Sequence, residues 1–156
     1  MLDASLVVRS AQEADNSEIR HIVLASLGAF GIEVEFDGLD AAIASAGLPG
    51  TKNAIELVAE LHGHICGCIA LERMHDQQGK VFGFHVDHHY RGKGIGRSLL
   101  IALMADARQL GFKTLHLDTW DSMQSAISLY KALGWIAGPD PAPESGANRS
   151  YFFEIT

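Results

Sequence analysis

The sequence predicts an α/β fold built on a mixed β-sheet, and two patterns carry that prediction. Three alternating segments, Ile55 to Leu61, Ile65 to Arg73 and Val81 to Val86, follow one another across short polar turns, as the strands of an antiparallel meander do. The third then passes through a glycine-rich turn into an amphipathic helix and out to another alternating segment, Lys113 to Asp118. Strand, helix and strand in that order are most simply joined as a right-handed parallel crossover.

Leu6 to Arg9 opens the chain as a short strand. Asp15 or Asn16 is placed to cap a helix with Ile19, Ile22, Val23 and Leu27 on its apolar face, and Gly28 and Gly31 break that helix. From Gly31 to Gly50 the pattern is mixed: acidic and aromatic at Glu33, Glu35, Phe36 and Asp37, weakly helical from Leu39 to Ala46, then a turn at Gly47-Leu48-Pro49-Gly50. His62-Gly63-His64 and His75 to Gly79 are the meander's two turns. On the Val81 strand, Phe82, Phe84 and Val86 alternate with Gly83, His85 and Asp87. The long helix carries Leu99, Leu103, Ala107 and Leu110 along one face, and Gly111 stops it. A last helix runs from Ser122 to Leu133, with Gly134 as its stop. Two terminal strands, Trp135 to Ala137 and Ser150 to Ile155, flank the Pro- and Gly-rich loop GPDPAPESGAN, which is expected to be mobile. No repeat or linker divides the chain, so a single domain over residues 1–156 is expected.

Composition sets bounds. Hydrophobic residues at 47% and charged residues at 20% are ordinary for a soluble globular protein, and no apolar run approaches a membrane span. The opening MLDASLVVRSAQEAD has no basic lead or long apolar core, so a cytoplasmic location is expected. A net charge of −7 argues against nucleic-acid and anionic-membrane partners. Cys66 and Cys68, the only cysteines, do not make a C-x-x-C pattern. Two apart on a strand, they are expected to share a face as buried free thiols.

Against that acidic background, Arg91, Lys93 and Arg97 crowd around the turn Arg91-Gly92-Lys93-Gly94-Ile95-Gly96. Glycines let a backbone approach a phosphate, and a helix N-terminus offers unpaired amides and partial positive charge. A dinucleotide fingerprint is excluded because Arg97 stands where the third glycine belongs, and no Gly-Lys-Ser/Thr completes a Walker A loop. R-x-x-G-x-G leaving a strand instead resembles the pyrophosphate-binding motif of the GNAT superfamily of acyl-CoA N-acyltransferases. A second stretch, Ala126-Ile127-Ser128-Leu129-Tyr130-Lys131-Ala132-Leu133-Gly134-Trp135, resembles the late helix of the same superfamily and lies at the expected distance downstream. By periodicity alone Ala126, Leu129, Tyr130 and Leu133 are candidates for the core.

The resemblance implies a GNAT-like mixed sheet splayed at the Val81 strand, with helices on both faces and acetyl-CoA as cosubstrate in the cleft. Backbone groups of Phe84, His85 and Val86 would pair with the pantetheine amides. The amides of Gly92, Lys93, Gly94, Ile95, Gly96, Arg97 and Ser98, beside Arg91, would hold the pyrophosphate. Tyr130 would protonate the departing thiolate, which makes it a better leaving group. The implied partners are acetyl-CoA and an amine acceptor, and a homodimer stays open. The Gly31–Gly50 segment is either one wall of an acceptor site or a loop with a short helix.

Two positions depart from the superfamily pattern. Met123 stands where many relatives have asparagine, so that side-chain bond is lost or supplied by Ser122 or Ser125. Lys80 stands where some relatives have a catalytic glutamate, leaving Glu72, His85, Asp87 or a water chain as base. These departures keep open a non-catalytic acyl-CoA-binding domain. A metal-binding module using His85, Asp87, His88 and His89 is the alternative from another class. Its H-x-D-H-H spacing matches no metal signature, so a solvated strand end is expected and no metal ligand is assigned.

Overall fold

A computed structural model describes residues 5–38, 40–141, 143 and 146–156. The elements in order are β1 (Leu6–Ser10), α1 (Asn16–Ala29), α2 (Ala41–Ala44), β2 (Ile55–Leu61), β3 (His64–Arg73), β4 (Gln78–Val86), α3 (Ile95–Gln109), β5 (Thr114–Thr119), α4 (Gln124–Ala132), β6 (Ile136–Ala137) and β7 (Arg149–Glu154). One sheet orders them β1-β2-β3-β4-β5-β7-β6. Every neighbouring pair is antiparallel except β4 and β5, which run parallel. That one parallel pair is short, joining only Gln78–Lys80 to Thr114–His116. Beyond Lys80 the two strands have no mutual ladder, so the sheet opens there.

Helices cover both faces, as expected. On one face α3 and α4 bury Leu99, Leu100, Leu103, Ile127 and Tyr130 against Leu57, Leu71, Val81, Leu115 and Leu117. On the other, α1 and α2 bury Ile19, Ile22, Val23, Leu27 and Ile43 against Val58, Cys68 and Ala70. Among the described residues no helix is long and apolar enough to cross a membrane. The readings of the Met1–Ala4 lead, of Leu39 and of mobility at Ala142, Glu144 and Ser145 lie outside the described residues.

Two bulges overturn the simple alternation. On β3, Gly67 faces Ala59 while Ile65 faces Glu60, so Cys66 is the extra residue between them. A one-residue insertion swaps faces. Cys66 therefore packs in the α3-side core and Cys68 in the α1-side core, not on one face as expected. Both thiols are free and buried, and burial pushes them up to about 11 and about 12, away from the reactive thiolate. On β4, Cys68 faces His85 and Ala70 faces Phe82, leaving Gly83 and Phe84 together opposite Ile69. Gly83 takes the left-handed φ of +61° that this bulge needs. Phe82 thus faces the α1 side, whereas Phe84 and Val86 turn to the α3 side.

Three smaller expectations also change. Neither Asp15 nor Asn16 caps α1 through its side chain. The Asp15 carboxylate instead binds the Arg9 guanidinium at 2.7 and 3.0 Å, which holds its carboxyl below the ordinary range. The Asn16 side-chain amide donates to the carbonyls of Ala44 and Ala46, tying α1 to α2. Gly28 stays inside α1, and only Gly31, at φ +72°, turns the chain. Leu110 is 52% exposed because the helix has already ended at Gln109. On α4, Ile127 and Tyr130 form the buried stripe, with Ala126, Leu129 and Leu133 only half-buried.

The β4 bulge gives the first prediction. A Cβ on Gly83 would stand 2.6 Å from Ile43 Cγ1, at a backbone angle that disfavours any side chain. Gly83→Ala is expected to lose about 2 kcal/mol or more, from overpacking and left-handed strain together. Urea unfolding measures it, and an unchanged midpoint would contradict the bulge geometry.

Candidate active site

The site grows out of the end of β4. After Val86, Asp87 caps a single 3-10 turn, His88–Tyr90, accepting from the His89 amide at 3.0 Å. Gly92 and Gly94 then take φ +77° and +76°, which reverse the chain into α3. Gly94 is the cap residue and has no side chain to offer, so no cap bond closes the helix start. Ile95 and Leu99, both buried, pin the first turn of α3 into the core. Among the described residues the amides of Ile95, Gly96 and Arg97 find no backbone partner, as the first turn of a helix requires. The Ser98 amide differs, donating to the Gly94 carbonyl at 3.0 Å, so it is already occupied. A Cβ on Gly96 would lie 3.4 Å from Phe84 Cζ and 3.6 Å from Val86 Cγ2, so the helix start lies tight against β4.

Between this helix start, the end of β4 and the start of α4 lies a cavity of about 370 Å³. Phe84, His85, Val86, Arg91, Gly92, Gly94, Ile95 and Gly96 line it, so most of the residues singled out in the sequence converge. Lys93, Arg97 and Ser98 do not line it; Lys93 is exposed on the glycine turn and Arg97 is exposed on the first turn of α3. The facing wall is Ser122, Met123, Gln124, Ser125, Ala126 and Leu129 of the α4 start. Ser26 and Phe30 from the end of α1, and Tyr90, complete it. Sequence reasoning missed Ser26, Phe30, Tyr90 and Gln124; Ser26 and Phe30 reach the cavity only through tertiary packing, while Tyr90 and Gln124 are chain neighbours of Arg91 and Ser125.

A glycine cradle with unpaired amides, a flanking Arg91 and an apolar slot beyond it suit a polyanion with a slender tail, and so fit coenzyme A. Tyr130 stands behind this wall, 4% exposed. Its ring lies 6.2 Å from Phe84, 5.9 Å from Trp135 and 5.7 Å from Tyr151. Burial, with Tyr151 adding to it, raises its phenol well above the ordinary value, so the proton stays on oxygen at neutral pH.

The residues named as base candidates fall in different places. Glu72 is on β3, directly opposite Lys80. Asp87 Oδ1 is bonded to both the amide and the Nδ1 of His89. His85 sits in the cavity wall with Nδ1 2.9 Å from Ser26 Oγ, and burial pushes its imidazole down to about 4. At neutral pH a proton there is disfavoured by roughly a thousandfold. The four residues of H-x-D-H-H do not converge, His85 being held by Ser26 while His88 and His89 are exposed. Among the described residues no cluster of three or more His, Cys, Asp or Glu is arranged to hold a metal ion.

The half-buried, desolvated His85 imidazole sets a pH dependence. The unfolded chain takes a proton at His85 below about pH 6.5, while the folded chain waits until about 4, so stability falls as pH drops through that window. From about pH 7 to about pH 5 the parent is expected to lose about 2 kcal/mol more than His85→Gln, which has no such proton to take up. Urea unfolding of both proteins at the two pH values measures the difference, and equal losses would contradict the burial.

With the geometry in place, the chain can be set beside known proteins. A family model described as "Acetyltransferase (GNAT) family" matches residues 32–135, more than half of the chain. An uncharacterized N-acetyltransferase of Schizosaccharomyces pombe is 28% identical over 127 residues, covering 78% of this chain and 76% of that protein. A probable N-acetyltransferase of Xenopus laevis, camello, is 26% identical over 123 residues, which are 73% of this chain and 56% of the frog protein. Among solved structures, an acetyltransferase of the GNAT family from Staphylococcus aureus Mu50 superposes with a TM-score of 0.85 at 20% identity, covering 97% of this chain and 99% of that one. The PaiA N-acetyltransferase of Thermoplasma acidophilum, solved in complex with coenzyme A, gives 0.78 at 16% identity, covering 97% and 99%. At these identities the structures establish the fold, and the family match establishes the rest: the chain belongs to the GNAT family of acyl-CoA-dependent N-acetyltransferases.

Proposed function

We propose that this protein moves an acetyl group from acetyl-CoA to a primary amine by direct transfer in a ternary complex, with Tyr130 as the acid. One observation carries the proposal. The sheet opens beyond the Lys80–His116 rung, and that opening leads to the unpaired amides of Ile95, Gly96 and Arg97. The amides from Gly92 to Arg97, with Arg91 beside them, would hold the pyrophosphate. The Phe84, His85 and Val86 edge of β4, which has no ladder to β5, would take the pantetheine amides as a partner strand would. Acetyl-CoA supplies the activated acyl group.

The remaining chemistry belongs to the chain. The neutral amine attacks the thioester carbonyl carbon, and Tyr130, protonated across the neutral range, gives its proton to the departing sulfur. Ser122 and Ser125, both at the cavity wall, offer hydroxyls where Met123 offers only a thioether. The acceptor is a small amine, an amino acid or a peptide or protein amine. The same reading places the protein in the cytoplasm without nucleic-acid or membrane partners, in keeping with its charge of −7.

A non-catalytic acyl-CoA-binding domain is favoured by Lys80 and Met123 alone, and thiol release separates the two readings. A panel of small primary amines, free amino acids and a peptide with a free N-terminus is expected to include at least one that releases thiol from acetyl-CoA. Binding of acetyl-CoA without release on any of them would favour the non-catalytic domain. Tyr130→Phe keeps the ring and its packing, so acetyl-CoA affinity should hold. Its kcat should fall by roughly ten- to ten-thousand-fold. An unchanged kcat would remove the acid role.

A further inference from the structure

A second polar cluster stands at the point where the sheet opens, on the face opposite Tyr130. Leu115 and Leu117 enter the α3-side core, so His116 and Asp118 project from the other face of β5. Val81 likewise enters that core, which puts Lys80 on the same face as His116. There Asp118 Oδ1 lies 2.8 Å from His116 Nε2, and Asp118 Oδ2 lies 3.6 Å from Lys80 Nζ. The His116 ring stacks on Phe152 of β7, centroids 4.8 Å apart and planes at 21°. The cluster is fixed but open to solvent, with side chains of Lys80, His116 and Asp118 exposed by 30%, 27% and 13%.

Its level along the sheet is also defined. Tyr151, the neighbour of Tyr130, pairs with Leu117, the residue between His116 and Asp118. Tyr130 and the cluster therefore flank the same level of β5 from opposite faces. On the cluster's face α1 packs over β3 and β4, and the His116 side chain, beside β7, keeps 27% of its surface exposed. The other candidates fit less well. His85 is turned to Ser26, Asp87 is bonded to His89, and Glu72 is a strand further from the opening.

We propose that His116, oriented by Asp118, takes the proton that the acceptor amine loses, with the amine arriving over β5 and β7. The proposal rests on the acetyl-transfer reading above. With Nε2–H donated to Asp118, the Nδ1 lone pair is the free acceptor. Lys80 restrains the Asp118 carboxylate from its other oxygen, so Lys80 and Asp118 are positioning residues. As the amine lone pair forms the C–N bond, the C–S bond breaks with its electron pair left on sulfur. Tyr130 gives one proton to that sulfur and His116 Nδ1 takes one from the nitrogen. The products are an amide and a thiol, and exchange with water restores both side chains.

The test is His116→Ala, assayed with whichever panel amine the parent acetylates fastest, with and without added imidazole. The expected result is a kcat lower by about a hundredfold or more, unchanged acetyl-CoA affinity, and partial recovery with imidazole, which a merely structural loss would not show. Asp118→Asn, which keeps the imidazole but misdirects it, should lower kcat without any rescue. If His116→Ala does not fold, His116→Gln takes its place in the kcat comparison. Full kcat in the folded His116 variant would overturn the proposal. So would a loss confined to the amine KM and indifferent to imidazole, which would make the cluster an acceptor-binding site. A parent that acetylates no amine on the panel would instead overturn the acetyl-transfer reading itself.

Discussion

The structure depends on how little β4 and β5 hold each other. Three residues of each strand pair, Gln78–Lys80 with Thr114–His116, and then the ladder stops. A continuous parallel ladder would have closed the sheet and left no slot beside Phe84 and Val86. The gap leaves backbone groups of β4 without a strand neighbour, a costly arrangement unless solvent or a ligand satisfies them. It also frees β5 to turn toward α4, whose start forms the facing wall.

The opening is tolerated because packing on either side of it is dense. Leu99, Leu100 and Leu103 of α3 are fully buried, and each contributes about 1.5–3 kcal/mol of apolar burial. They fasten the helix whose N-terminus ends the slot. Across the gap, Tyr130, Trp135, Tyr151 and Phe153 form a continuous aromatic layer between α4 and β7. The cradle is thus held by a helix buried in the core on one side and the Tyr130 ring by an aromatic layer on the other. Preorganisation of that kind is what acyl transfer between two bound partners requires.

Much of this is legible in the sequence, because period-two and period-3.6 patterns survive wherever an element buries one face. The meander and the glycine turn appear where alternation and Gly placement put them, but β4 starts at Gln78, inside the expected His75–Gly79 turn, and its parallel rungs to β5 lie at Gln78–Lys80, ahead of the Val81 start that alternation indicates. The bulges at Cys66 and Gly83 are not legible. An inserted residue leaves the local pattern intact and changes only which face comes next, so Phe84 and Cys66 point opposite to plain alternation. Asp15 and Asn16 fail as caps because long-range partners, Arg9 and the α2 carbonyls, compete for the same side-chain atoms. Ser26 and Phe30 join the cavity from a helix some sixty residues upstream of the turn, and His116 and Asp118 look like the polar half of an ordinary strand. Their roles come from cross-strand and cross-sheet neighbours, which no local motif encodes.

The most direct measurement of the central claim is hydrogen–deuterium exchange with and without acetyl-CoA. If the opened β4 edge and the helix start are the cosubstrate site, added acetyl-CoA should slow exchange at residues 82–86 and 92–97, whose amides include those without backbone partners in the free chain. The β1–β2 edge on the far side of the sheet should not change. Tight binding with no protection in either segment, or protection confined to another part of the chain, would contradict the account.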